Sequence, residues 1–135
     1  MKPRIAVKIL LGIVIAVTLF HLCILLKVIP YDITWGGRLT NDTEMYVFET
    51  FSIGLNLILG MVLLFKGNLI KPLLPIKMVN VVLWVFLILF AVNTVGNLFA
   101  ETNFEKGLSV ITLACSLFLW IILRSKGAKK IKSKS

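Results

Sequence analysis

The sequence predicts an all-α fold: a single integral membrane bundle of four transmembrane helices with both termini cytoplasmic. Three observations carry that expectation. First, the 135 residues are 59% hydrophobic and 16% charged, with a mean hydropathy of +0.98. Soluble domains are about 45–50% apolar and about 25% charged, and a globule this small leaves roughly a third of its unfolded surface in water. Lipid is therefore the expected solvent, and the same composition excludes disorder. Second, four apolar stretches approach or exceed the ~20 residues that cross roughly 30 Å of hydrocarbon. Third, the 15 Lys+Arg and 6 Asp+Glu, a net charge of +9, are sorted to opposite ends of these stretches.

The first span is expected from about Ile5 to Ile29, with an unbroken apolar centre from Ile9 to Phe20. Met1-Lys2-Pro3-Arg4 would suit the basic start of a signal peptide. The apolar run is longer than a signal core, and no small-residue cleavage site precedes Lys27, so a retained helix is expected. The second span is expected over about 46–65, with Asn41 and Glu44 as its start signal. The third is expected over about 78–100. The fourth is apolar only from Leu108 to Leu123. Thr102-Asn103-Phe104-Glu105 fits a capping box, which lengthens it to 103–123. Continuous apolar runs do not suit barrel strands, which alternate, and helices satisfy their own backbone groups in lipid. Residues 1–135 thus read as one domain, with 124–135 as a basic tail.

Orientation follows from charge. Lys2, Arg4 and Lys8 lie at the first helix's start, Lys66, Lys71 and Lys77 around the second connection, and Arg124, Lys126, Lys129, Lys130, Lys132 and Lys134 in the tail. Four spans place these on one side. The other side carries Lys27, Arg38 and Lys106 with all the acids: Asp32, Asp42, Glu44, Glu49, Glu101 and Glu105. The positive-inside rule then puts both termini in the cytoplasm of a plasma (inner) membrane. Each basic residue near an anionic leaflet contributes about 1 kcal/mol, so Lys126, Lys129, Lys130, Lys132 and Lys134 are expected on lipid headgroups.

The longest connection, residues 30–45, holds Trp35-Gly36-Gly37-Arg38. Trp35 suits the interfacial belt, and Arg38 could meet a phosphate or a carboxylate such as Glu44 or Glu49. A membrane-hugging turn is the simpler reading, a ligand-binding loop the other. Asn41-Asp42-Thr43 matches a glycosylation sequon but lies against a helix start, so chance accounts for it.

Polar residues within spans are costly and face the bundle interior or water. Glu49, Ser52 and Asn56 share one face of the second helix, with Gly60; Asn93 and Asn97 mark the third; Ser109, Thr112 and Ser116 mark the fourth; His21 stands alone on the first. At ~1.5 Å per residue, His21 should lie about 12 Å from the outer end of its helix, Asn93 about 10 Å, Asn97 about 5 Å and Glu49 about 5–8 Å. The expectation is an outward-opening polar pocket of His21, Glu49, Ser52, Asn56, Asn93, Asn97, Ser109 and Thr112, with His21 and Glu49 as its ionisable pair. The plainer reading is interhelical hydrogen bonding without a ligand.

No catalytic set is recognisable. Cys23 and Cys115 form no C-x-x-C and read as packing residues. One His and scattered acids make no metal site, and no cofactor is expected. The basic charge is explained by topology rather than nucleic acid. Membrane lipids are the expected partners; self-association and another membrane protein both stay open. The pieces Trp35-Gly36-Gly37-Arg38 and Asn93-Thr94-Val95-Gly96-Asn97 resemble small four-helix bacterial inner-membrane proteins of unassigned role. The layout also resembles, more distantly, the sterol isomerase and sigma-two receptor type of bundle, from which no functional residue is carried over. A non-enzymatic accessory or structural membrane component is the favoured function. A transporter or channel component, or a binder or enzyme for a hydrophobic small molecule, is the alternative.

Overall fold

The computed structural model describes residues 2–31, 39–100 and 102–125. It contains four helices: α1 (Pro3–Leu25), α2 (Asp42–Lys66), α3 (Ile76–Leu98) and α4 (Asn103–Arg124). Each is long and apolar enough to cross a membrane. Trp35, Gly36, Gly37 and Arg38, and Lys126, Lys129, Lys130, Lys132 and Lys134, lie outside the described residues. The helices run up-down-up-down. α1 packs on α2 and α4, and α3 packs on the same two, most closely within the hairpins α1–α2 and α3–α4. One end of the bundle, the terminal end, carries the start of α1, the end of α4 and the α2–α3 connection. The other, the distal end, carries the two hairpin turns.

Local chemistry sets the helix ends. Asn41 accepts a hydrogen bond from the Glu44 amide at 2.9 Å, and the Thr102 hydroxyl accepts from the Glu105 amide at 3.2 Å. Both satisfy N–H groups that helix starts leave without a partner. The Asn41 side chain is thereby used in the fold. The cap starts α2 at Asp42, four residues before the apolar run signals it.

α1 stops at Leu25, short of the expected end at Ile29, although Leu26, Val28 and Ile29 are apolar. Its end is a Schellman turn. The Lys27 amide donates to the Ile24 carbonyl at 2.9 Å, the Val28 amide donates to the Cys23 carbonyl at 2.8 Å, and Lys27 takes a φ of 64°. Pro30, two residues past Val28, has no amide with which to continue a helix. α2 ends the same way, with Asn68 at φ 55°. Asparagine tolerates that left-handed geometry, whereas a lysine in it is strained by about 1–2 kcal/mol. Lys27 also donates to the Asp42 carboxylate, tying the end of α1 to the start of α2. That bond, with Asp42's charge, holds Lys27 above the ordinary lysine value of 10.5. A raised lysine pKa means that the pair's support is intact below this range and is lost as pH rises through it.

Because both ends of that pair are about half exposed, the backbone should dominate. Lys27→Ala and Lys27→Gly lose the same ion pair, but only glycine relaxes the turn. The glycine variant should be the more stable by about 1 kcal/mol, which reversible unfolding in detergent would measure.

The terminal half of the bundle is a dry plug. Leu10, Leu59, Leu63, Val79, Leu83 and Leu119 are fully buried there, one or more from each helix. At that end Gly67 lies close to α1: a Cβ there would come within 2.9 Å of Val7 Cγ1. A smaller cluster of Ile24, Leu39 and Met45 seals part of the distal end. The outside of the bundle is apolar as well. Phe51, Leu57, Val81, Val92 and Val110 are each more than 60% exposed. In contrast, Glu49, Asn56, Thr94, Ser109 and Ser116 are buried. Apolar groups outside and polar groups within is the arrangement a lipid solvent favours.

Candidate functional site

The distal half is hollow where the terminal half is packed. A cavity of about 680 Å³ lies among all four helices. α1 contributes Ile13, Val14, Ala16, Val17, Phe20 and His21, and α2 contributes Ser52, Leu55 and Asn56. α3 contributes Phe86, Leu89, Phe90, Asn93 and Asn97, α4 contributes Phe104, Leu108, Ile111, Thr112 and Cys115, and Ile29 adds a residue from the first connection. Val14, Phe86 and Cys115 also belong to the buried core, so they form the floor where the cavity meets the plug.

His21 and Glu49 are the chemical centre. His21 Nδ1 lies 2.5 Å from Glu49 Oε2, joining α1 to α2. Glu49 is fully buried, while the His21 side chain is 18% exposed. The carboxylate thus sits behind the ring, and the ring meets the cavity. A buried carboxylate is costly unless a charge or hydrogen bond compensates it, and the imidazole supplies both when protonated. Binding through Nδ1 fixes the ring and leaves Nε2 to meet an occupant. Nε2 accepts a hydrogen bond from an occupant when the ring is neutral and donates one when it is protonated. Phe20 packs edge-on against the same ring, with centroids 5.8 Å apart.

Of the eight residues expected in a pocket, His21, Ser52, Asn56, Asn93, Asn97 and Thr112 line this cavity. Glu49 is one layer behind, and Ser109 is elsewhere. The Ser109 hydroxyl donates to the Lys106 carbonyl of its own helix at 2.5 Å, the backbonding that short hydroxyl side chains favour in helices. Ser116 similarly donates to the Leu87 carbonyl at 3.2 Å, which joins α4 to α3. Thr94 carries no signal of a site in the sequence alone. It is buried, and its hydroxyl lies 2.8 Å from the Phe90 carbonyl and 2.9 Å from the Thr112 hydroxyl. This contact positions Thr112 at the α3–α4 contact beside the cavity.

Depth also differs from the sequence estimate. Because α1 ends at Leu25, His21 lies about 6 Å from the end of its helix, one turn in. His21, Asn93 and Asn97 stand toward the cavity's distal end, while Asn56, one turn from Gly60 and so near the floor residue Val14, brings an amide to its lower wall. No group of three or more His, Cys, Asp or Glu that could hold a metal occurs among the described residues. Comparison with protein-family models, with curated proteins and with solved structures finds no match for this chain.

Proposed function

We propose that this is an integral membrane protein, crossing four times with its termini in the cytoplasm, that binds a small, largely apolar molecule carrying one polar group. The cavity of about 680 Å³ with a carboxylate-held histidine on its wall carries this reading. Ligand sites are mostly apolar hollows of about 300–1,000 Å³ with a few fixed polar groups, and that describes this one. The role is read as non-enzymatic binding: among the described residues a single His–Glu pair is the ionisable group at the cavity, which supports an anchor rather than a reaction. The plug of Leu10, Leu59, Leu63, Leu83 and Leu119 beneath the floor counts against a conducting path through one copy. Orientation rests on charge. Among the described residues, Lys2, Arg4, Lys8, Lys66, Lys71, Lys77 and Arg124 cluster toward the terminal end and all the acids toward the distal end. The tail then lies on the anionic inner leaflet, and the cavity faces the opposite leaflet.

Ser52 lines the cavity without belonging to the His21–Glu49 pair, so Ser52→Phe fills the space and spares the anchor. Protein purified in mild detergent should release a defined small molecule on organic extraction. The Ser52→Phe variant should release about tenfold less, a loss of about 1.4 kcal/mol of binding. Equal recovery of the same molecules from both proteins, read by mass spectrometry, would contradict the reading.

A further inference from the structure

One wall of the cavity is open. At the distal end α1 and α4 are bridged by stacked Phe20 and Phe104, with ring centroids 5.5 Å apart. Below this bridge, Ala16 of α1 lines the cavity and is also exposed. Ile111 of α4, two turns in from Phe104, lines the cavity and is 40% exposed. On α1, the face toward α2 is marked by His21, which bonds Glu49, and by Val14, whose Cγ1 is 3.9 Å from where a Cβ on Gly60 would stand. Ala16 lies about 140–160° around the helix from both. A cavity that touches Ala16 therefore passes around α1 and out through the α1–α4 seam. Ala16 and Ile111 flank that opening, and the aromatic stack forms its upper edge.

The cavity's polarity has a direction too. Asn97, Asn93 and His21 stand toward the distal end, and Val14, Phe86 and Cys115 form the floor. Asn97 and Phe86 are separated by about 16 Å of helix rise. Asn56 adds one amide nearer the floor, a turn from Gly60, but the ionisable ring and two of the three amides lie distally, as polar groups do in one bilayer leaflet. Among the described residues the lining holds no lysine or arginine, and its polar groups are amides, hydroxyls and the His21 imidazole. Amide side chains and an imidazole both donate and accept, which matches a hydroxyl or amide.

We propose that the occupant is an uncharged single-chain amphiphile drawn sideways from the surrounding leaflet through the α1–α4 seam, its polar end uppermost at His21. This rests on the binding role above and adds the ligand's class and its route. A straight-chain alkanol bearing a diazirine, with amine and carboxylate analogues of the same length, serves as the probe. The full chain is reconstituted in phosphatidylcholine vesicles, flashed at intervals after probe addition, and the labelled residues are read by mass spectrometry. The alkanol should label cavity residues of α1 and α4 and exceed both charged analogues. Ala16→Trp, which plugs the seam away from His21, should slow capture about tenfold, equivalent to about 1.4 kcal/mol on the entry barrier. Phe104→Ala should hasten it. Ile111→Trp tests the opposite flank and stands in should Ala16→Trp fail to fold. Alkanol capture at an unchanged rate in the seam variants overturns the route alone. Preference for the amine or the carboxylate overturns the ligand class. Absence of cavity labelling by any probe in the unaltered protein overturns the binding role itself.

Discussion

Replacing His21 with leucine should destabilise the bundle by about 3 kcal/mol, the lower part of the range for removing one partner of a buried ion pair. The loss combines the missing bond with the poorer compensation of a buried carboxylate. Glu49 is fully buried on α2, and His21 Nδ1 at 2.5 Å is the α1 group that compensates it. The double variant His21→Leu, Glu49→Met should recover most of that stability, because apolar groups of similar volume remove the desolvation cost together with the bond. A double-mutant cycle measured by reversible detergent unfolding therefore separates two roles. Strong coupling with a stable double variant shows that the pair is dispensable for folding and kept for what the cavity does. A double variant as unstable as the single one would make the pair structural. Extraction of the stable double variant should then yield little of the molecule the unaltered protein retains.

A carboxylate on the outside should be nearly as damaging, and this is where lipid and water differ most. Ile88 lies near the middle of α3 and is 58% exposed. At an aqueous surface, Ile88→Asp would fall within about 0.5 kcal/mol of neutral. At the centre of a membrane helix, an aspartate costs about 2.5–3.5 kcal/mol of insertion free energy. The expected result is loss of most membrane-inserted protein, measured as the fraction resistant to alkaline extraction. The control Thr40→Asp, at an exposed residue outside the helices, should leave insertion unchanged.

Much of this architecture is legible in the residues because the strongest signals are local. Asn41 and Thr102 mark helix starts through the geometry of their own side chains, and each caps the helix it announces. The inward turn of His21 and Glu49 is legible for an energetic reason: an ionisable group amid apolar neighbours has no stable place against lipid. The end of α1 is less legible. Leu26, Val28 and Ile29 are as apolar as the helix before them, and the stop depends on Lys27 among them taking a φ of 64°. Ser109 shows a second blind spot. A hydroxyl on the inward face can satisfy itself on its own backbone, so periodicity does not tell a cavity wall from a closed hydrogen bond. The aromatic walls are the third. Phe20, Phe86, Phe90 and Phe104 line the space, while Phe51 is 63% exposed. In a membrane helix apolar side chains suit the outside and the inside equally, so only the packing of four helices shows which of them surround a cavity.

Topology is the premise on which the cavity's aspect, the seam and the tail's contacts all stand, and labelling from one side of the membrane tests it directly. With Cys23 and Cys115 replaced by alanine, single cysteines are placed at Thr40, in the α1–α2 connection, and at Ser135, in the basic tail. An impermeant maleimide added to intact cells should label Thr40→Cys and leave Ser135→Cys unmodified until the membrane is permeabilised. Labelling of Ser135→Cys in intact cells, with Thr40→Cys protected, would contradict the orientation and every inference built on it.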